Sequence, residues 1–214
     1  MTDKKNDFKK SVEFDLYKSE FGSTLLKEYH IKSLLSKSDL SNLYLLERKC
    51  DGHLFVLKAI SSIRYMAHPI ALKKYPGLTE ISAVYETTSY RYLLKRYAAG
   101  EPLNAKIENE GLLTEAETHH VLLQIYETTY RLFKELPSLY LPNLSTEHLI
   151  IDGNQNVTLL GIESIRCATR EVEDYLFRCF NRLYTMMSGL ERPAEINNYN
   201  QWGYYLIASK GIHL

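Results

Sequence analysis

The residues whose types could support chemistry are concentrated in one stretch of the sequence, LYLPNLSTEHLIIDGNQNVTLLGIESIR, at residues 139–166. His148, Asp152 and Glu163 supply an imidazole and two carboxylates there, the side chains that most often move protons or bind metal ions. Magnesium prefers hard oxygen ligands, so His148 is a poor ligand for it. The stretch therefore contains groups that could act on a substrate, but few that could hold magnesium.

The same stretch predicts a small β-hairpin. Two apolar runs, 148–151 and 157–160, flank the turn-forming residues 152–156. Ahead of the hairpin, Pro142 and Asn143 end the preceding helix, because proline cannot continue one.

Residues 29–97 predict antiparallel strands, because short runs rich in Leu, Tyr, Val and Ile alternate with turn signals. The five predicted strands are 31–35, 42–48, 53–60, 81–87 and 90–97, with one short helix at 61–74.

The second half of the chain predicts helices. Thr114 with Glu117 forms a capping-box pattern, followed by apolar residues at helical spacing. Two further helices are predicted at 171–188 and at about 202–209. Strands followed by helices predict an α+β fold.

The layout of residues 29–193 resembles the protein kinases, in which a motif His-Arg-Asp-Leu-Lys-Pro-Glu-Asn precedes a hairpin and Asp-Phe-Gly follows it. The spacing between Asn143 and Gly161 matches the spacing between the two aspartates of that family. The segment VLKAI places Lys58 where the family has its phosphate-contacting lysine, and YTMMSGLERP is similar to the end of a conserved family helix. The aligned positions are Leu141, Pro142 and Asn143 for His-Arg-Asp, Ser145 for lysine, Glu147 for glutamate, His148 for asparagine, and Gly161, Ile162 and Glu163 for Asp-Phe-Gly.

The resemblance implies a kinase-like bilobal fold with a five-stranded antiparallel N-lobe and a shortened, mainly helical C-lobe. The implied organisation is a polar, flexible arm at 1–27, an N-lobe-like part at 28–97 and a truncated C-lobe-like part at 98–214.

The family's chemistry is not matched at the aligned positions. Asn143 carries an amide that cannot act as a base, His148 replaces a magnesium ligand, and Gly161 has no ligand. No Asp or Glu occurs between Asp51 and Glu80 to pair with Lys58. We therefore expect an inactive domain, a pseudokinase of bacterial type, with no catalytic residues, metal or cofactor. Lys58 and Lys95 remain candidates for contacting a nucleotide, although a charged Lys95 could equally fill the cleft.

Aromatic residues near the C-terminus form a candidate surface for a protein partner. They are Tyr199, Trp202, Tyr204 and Tyr205. The alternative is that the same residues close the shortened helical part by packing inside it.

Composition sets further expectations. The chain has 214 residues with 26 basic and 26 acidic side chains, so no net field favours nucleic acid. Three cysteines without C-x-x-C spacing favour a reducing cytoplasm over a disulfide framework. No stretch reaches the roughly 18 apolar residues of a membrane span, although an anchor could follow Leu214.

Three functional hypotheses follow. The first is a pseudokinase that binds another protein as a scaffold or regulator. The second is a magnesium-independent nucleotide-binding switch, or an atypical kinase, that uses Lys58 and Lys95. The third is the soluble cytoplasmic domain of a secretion or envelope assembly, by analogy with kinase-like domains of some bacterial secretion systems.

Overall fold

The computed structural model describes residues 18–38, 41–61, 75–88, 90–137, 139–141, 144–161, 166–167 and 172–210. Residues 1–17 of the predicted arm lie outside this part of the chain, as does the predicted helix beyond Ser61. The described chain divides into two compact units. The first contains the residues before 62 together with 80–97, and the second contains 75–79 together with the residues from 98 onward.

The first unit is built on a five-stranded sheet, as predicted from the alternating apolar runs. All neighbouring strands are antiparallel, in the order β1-β2-β3-β5-β4. The prediction of an α+β class with a five-stranded antiparallel sheet is thus confirmed. The strands are β1 (Tyr29–Lys37), β2 (Ser41–Arg48), β3 (Leu54–Ser61), β4 (Ile81–Glu86) and β5 (Tyr90–Arg96).

One face of this sheet forms the core of the first unit. Successive strand residues point to opposite faces, so every second residue of β2 and β3 is buried. Leu46, Leu57 and Tyr92 on this face are completely buried. Cross-strand packing of these large side chains supplies much of the sheet's stability.

A helix precedes the sheet, in a region where the sequence predicts a polar arm through residue 27. It is α1 (Glu20–Glu28), and its first turn is capped by Ser19, whose hydroxyl accepts a hydrogen bond from the Gly22 amide at 3.0 Å. Leu25 and Phe21 pack on the core face of the sheet. Two apolar residues one turn apart were too weak a pattern to predict this helix.

The second unit is mainly helical. Its elements are β6 (Glu101–Pro102), α2 (Leu103–Glu110), α3 (Glu115–Glu135), β7 (Leu139–Tyr140), β8 (Leu149–Ile151), β9 (Val157–Leu159), β10 (Arg166–Cys167), α4 (Val172–Ser188) and α5 (Tyr199–Lys210). A short 3-10 turn, Thr146–His148, precedes β8. Leu78 pairs with Leu159, which joins residues 75–79 to this unit.

The predicted capping box starts α3. The Thr114 hydroxyl accepts a hydrogen bond from the Glu117 amide, while the Glu117 carboxylate accepts one from the Thr114 amide at 2.9 Å. These bonds satisfy two donors that the first turn would otherwise leave unpaired. The Thr114 hydroxyl also lies 2.7 Å from the Glu117 carboxylate, and its hydrogen bond, followed by that of the Thr114 amide, holds the pKa of Glu117 below its ordinary value.

Helices α3, α4 and α5 pack around a cluster of aromatic side chains. Phe180 of α4 and Tyr199 and Trp202 of α5 are completely buried, and their rings contact one another edge-on or tilted. Gly203 lets α5 approach α3 closely, because a Cβ atom at this position would lie 2.2 Å from the Tyr126 hydroxyl oxygen.

Gly203→Ala should therefore destabilise the protein, although alanine is normally the better helix residue by about 1 kcal/mol. The clash with Tyr126 should outweigh that gain and lower the free energy of unfolding by about 1–3 kcal/mol in urea titration. Gly153→Ala is the matched control, because no atom lies within 4 Å of the position of its added Cβ. Equal stability of the wild type and the Gly203 variant would contradict the close packing of α5 on α3.

Candidate functional site

The predicted hairpin forms, and its turn uses the carboxylate that could have served chemistry. Strands β8 and β9 pair antiparallel over Leu149–Ile151 and Val157–Leu159. The Asp152 carboxylate accepts hydrogen bonds from the Asn154 and Asn156 amides, each at 2.8 Å, and from the Asn156 side chain at 2.9 Å. The Asn156 side chain is the largest cause of the lowered pKa of Asp152. Asp152 is thus a structural acceptor within its own turn.

Helix α3 holds the hairpin in place through one side chain. The Gln124 amide group donates to the Gln155 carbonyl at 2.8 Å, and its oxygen accepts from the Val157 amide at 2.9 Å. Both ends of a single amide are satisfied in this way, and the turn is fixed to the helix without any charge.

Two predicted degenerate positions lie beside this hairpin. His148 ends the short 3-10 turn and is half-buried, with its Nδ1 atom 3.0 Å from the Ser145 hydroxyl. Gly161 is buried just after β9 and has a φ of 84°, a conformation that favours glycine. The position where the kinase family has a metal-binding aspartate therefore presents only backbone. Asn143, Ile162 and Glu163 lie outside the described residues.

Lys58 and Lys95 lie on the same face of the five-stranded sheet. Lys58 of β3 is directly opposite Leu93 of β5, and Lys95 follows two residues later. Side chains two residues apart on a strand point to the same face, so the two lysines are diagonal neighbours, typically about 7–8 Å apart. This face is opposite the one that carries Leu57 and Tyr92. Lys95 is only 6% exposed, whereas Lys58 is half-buried.

The four aromatic residues predicted as a partner surface do not share one environment. Tyr199 and Trp202 are buried, each with a hydrogen bond: the Tyr199 hydroxyl lies 2.8 Å from the Thr129 hydroxyl, and the Trp202 indole donates to Asn181 at 2.9 Å. Burial raises the pKa of Tyr199. These two residues close the helical unit, which was the alternative expectation, and a partner cannot reach them in the folded protein.

Tyr204 and Tyr205 differ from this buried pair. Tyr205 is half-buried and packs edge-on against Trp202, with ring centroids 5.9 Å apart. Burial raises its pKa to about 12. Tyr204 lies on the outer side of α5 and is 75% exposed, and Ile207, one turn later, is 59% exposed. Only Tyr204 of the predicted set presents most of its ring to solvent.

Tyr204 and Ile207 form one side of a groove between α3 and α5, which we call the α3–α5 groove. Its volume is about 540 Å³. The lining residues are Tyr126, Glu127, Tyr130, Arg131, Lys134, Asn200, Gly203, Tyr204 and Ile207.

Stacked aromatic rings form the α3 side of the groove. Tyr126 and Tyr130, one turn apart, stack with centroids 5.4 Å apart and an interplanar angle of 19°. The Lys134 ammonium lies 5.2 Å from the centroid of the Tyr130 ring, a cation–π distance. Burial raises the pKa of Tyr126 to about 12, so its hydroxyl remains protonated at neutral pH. The groove is therefore an aromatic and apolar surface beside two cations, Arg131 and Lys134.

Sequence reasoning identified Tyr204 but missed the α3 side of this groove. The available signal was an aromatic pair at i and i+4, Tyr126 and Tyr130, next to the apolar stripe of α3. The rest could not be seen in the sequence, because the groove joins residues more than 70 positions apart and depends on Gly203.

Comparison with protein-family models found no match for this chain. Within the described residues, no group of three or more His, Cys, Asp and Glu side chains is positioned to hold a metal ion. None of the described helices has both the length and the apolar character needed to cross a membrane.

Asn156→Ala should raise the pKa of Asp152 toward its ordinary value of 3.8, because it removes the side-chain donor that favours the ionised carboxylate. A folded-state pKa below the unfolded value means that this carboxylate supports folding above the unfolded pKa. That support is lost as the pH falls through the folded pKa. Carbon-detected NMR titration of the Asp152 carboxyl measures the shift.

Asn154→Ala is the control for this titration, because Asn154 donates only its backbone amide and that donor survives the substitution. The pKa of Asp152 should stay low in this variant. If both variants raised it equally, a general loosening of the turn would explain the effect better than loss of one hydrogen bond.

Proposed function

We propose that this chain is a catalytically inactive, protein-kinase-like domain that acts as a scaffold or regulator by binding another protein. Three observations support the proposal: the order of motifs that resembles the kinases, the nature of the side chains at the aligned catalytic positions, and the α3–α5 groove. The proposal rests mainly on the α3–α5 groove, because this groove is a surface that suits a protein partner.

The side chains at the aligned positions do not supply what phosphoryl transfer needs. Transfer depends on carboxylates that hold magnesium and on a carboxylate that positions the attacking hydroxyl. His148 offers an imidazole, Gly161 offers no side chain, and Asn143 offers an amide. Of the two described carboxylates in this stretch, Asp152 is committed to its own turn, whereas Glu147 lies next to His148 in the 3-10 turn. This donor set supports a binding role over a catalytic one.

The groove has the composition of a protein-binding surface. Tyrosine and arginine are enriched at the energetic centres of interfaces. Tyrosine buries a large area at a small cost in conformational entropy, and arginine supplies several hydrogen-bond donors. Tyr126, Tyr130 and Tyr204 provide the rings, and Arg131 provides a guanidinium at the edge. A volume of about 540 Å³ accommodates one or two large side chains of a partner.

The charges around the groove indicate the chemistry of the partner segment. Arg131 and Lys134 contribute two positive charges against the single carboxylate of Glu127. A partner segment with an apolar side chain for the Tyr204 and Ile207 side, flanked by Asp or Glu for the α3 side, satisfies both features. Association with such a segment should weaken as the salt concentration rises.

The double variant Tyr204→Ala with Ile207→Ser should weaken partner binding while leaving the fold intact, because both side chains are exposed. Loss of a central aromatic contact typically costs about 2 kcal/mol, roughly 30-fold in Kd. The measurement is quantitative affinity purification from cells of the source organism, followed by titration of the purified partner. Leu112→Ala with Leu190→Ser is the control, because Leu112 and Leu190 are 58% and 50% exposed and lie outside the groove.

Two results would overturn the proposal. One is a partner that binds the groove variant and the control variant equally well. The other is phosphoryl transfer to a protein by the purified chain, dependent on magnesium and abolished by Lys58→Met.

A second candidate function is a magnesium-independent nucleotide switch, and the placement of Lys58 and Lys95 on one sheet face favours it. Two cations at diagonal positions can both reach one polyphosphate chain. They would neutralise phosphate charge without a metal ion, which the aligned positions are poorly equipped to hold.

Thermal and urea unfolding with ATP, in magnesium and separately in EDTA, tests this second function. A nucleotide at a hundredfold excess over its Kd should stabilise the wild type by about 2.7 kcal/mol, equally in EDTA. Lys58→Met and Lys95→Met should each reduce that stabilisation, whereas the exposed Lys27→Met should not. Stabilisation that requires magnesium would instead support an active enzyme, and no stabilisation in any condition would exclude the switch.

A further inference from the structure

A second pocket lies on the other side of α4 from the aromatic cluster, and nothing in the proposed function uses it. One wall is formed by residues 144–148, which include the 3-10 turn before β8, and the other by one face of α4. Its volume is about 480 Å³, within the range of sites that bind small groups. We call it the Arg178–Arg182 pocket.

The α4 wall presents two guanidinium groups. Arg178 and Arg182 are one turn apart, so both project into the same pocket. Two like charges at this spacing repel each other and weaken the helix. In the described part of the chain, neither guanidinium has a carboxylate within 4.0 Å. Neither charge is therefore used in a close ion pair within the described residues.

Some other cations in the described part of the chain form close ion pairs. Lys32 pairs with Glu47, and Lys106 pairs with Glu110 one turn away on α2. Arg178 and Arg182 form no such pair among the described residues, and both line the pocket.

The opposite wall is fixed in position. Thr146 is 1% exposed, and the Ser145 hydroxyl lies 3.0 Å from Nδ1 of His148. The Tyr175 hydroxyl of α4 donates to the Leu141 carbonyl at 3.0 Å, which ties α4 to the segment leading into this wall. These contacts restrain part of each wall, and restraint that exists before a ligand arrives lowers the entropic cost of binding.

The charge and size of the pocket select its ligand. Among the described lining residues, two guanidinium groups stand against one carboxylate, that of Glu147, and this balance favours an anion. Guanidinium groups present planar forks of N–H donors that match the oxygens of a phosphate, and two of them can engage its three free oxygens together. The volume exceeds a lone phosphate ion, and Leu144 and Met186 add apolar surface beside the arginines.

We propose that the Arg178–Arg182 pocket binds a phosphate monoester carried by a serine or threonine side chain of a protein. The arginines hold the phosphate oxygens, and the apolar part of the pocket covers the residue that carries them. This proposal does not depend on the kinase-like interpretation or on the α3–α5 groove, because it uses a different face of the helical unit. A nucleic acid is a poor fit, because a neutral chain with two adjacent cations offers few of the phosphate contacts that such binding needs.

NMR titration of the full chain tests the proposal, with the arginine Nε–Hε signals as the readout. The probes are N-acetyl-O-phosphoserine methylamide, inorganic phosphate and N-acetylglutamate methylamide. The phosphoserine probe should shift the Arg178 and Arg182 signals saturably and bind at least tenfold more tightly than either of the other two. Its affinity should fall as the salt concentration rises.

The double variant Arg178→Gln with Arg182→Gln should lose at least tenfold in affinity for the phosphoserine probe. Single Arg178→Gln should show an intermediate loss, and it serves as the test if the double variant is less stable. Lys27→Gln is the control, because it removes an exposed cation of α1 that lines neither pocket. Thermal unfolding of each variant confirms that the fold is retained.

Several outcomes would overturn the proposal. No saturable shift of the two arginine signals, or equal binding by the double variant, would mean that the pocket is not an anion site. Inorganic phosphate that binds as tightly as the phosphoserine probe would remove the assignment to a protein side chain. Equally tight binding of the glutamate probe would mean that the pocket recognises an acidic side chain and not specifically a phosphate.

Discussion

Burial of the aromatic side chains of α5 against α3 and α4 is the interaction on which the helical unit depends. Tyr199, Trp202 and Phe180 are the largest completely buried side chains of this unit. The polar atoms of Tyr199 and Trp202 both have a partner: Thr129 for the Tyr199 hydroxyl and Asn181 for the Trp202 indole. Because an unpaired polar atom here would cost about 1–3 kcal/mol, these bonds fix the rotation of α5 about its own axis.

The rotation of α5 determines what the protein presents to solvent. With Trp202 turned inward and Gly203 lying against Tyr126, the helix turns positions 204 and 207 outward, and these carry Tyr204 and Ile207. The α3–α5 groove is thus a consequence of core packing. A larger residue at Gly203 would alter the groove and the core together, which links the stability of the unit to its binding surface.

The sequence was sufficient where the physical signal is local. Alternating burial in β2 and β3, the capping box at Thr114 and the turn at Asp152 each act within a few residues, and each prediction is confirmed. The sequence was insufficient where the interacting residues are far apart along the chain. In the sequence, Tyr199 and Trp202 look the same as the aromatic residues of an exposed patch. Only the fold shows that they are core residues, because it places them beside Thr129 and Asn181, which are far away along the chain. Likewise, the short strands β6, β7 and β10 exist only through pairing with residues far along the chain.

The hairpin that the kinase resemblance draws attention to is held by hydrogen bonds that occupy the carboxylate of its own turn. In an active site, a carboxylate must stay available to a metal ion or a substrate, and groups kept available in this way usually reduce stability. Here Asp152 accepts three hydrogen bonds inside its turn, and Gln124 fixes the turn to α3 with both ends of its amide. Under the proposed function, the domain catalyses no reaction, so polar groups such as the Asp152 carboxylate can form hydrogen bonds that stiffen the fold. The residues that lead into this hairpin form one wall of the Arg178–Arg182 pocket, and α4 forms the other.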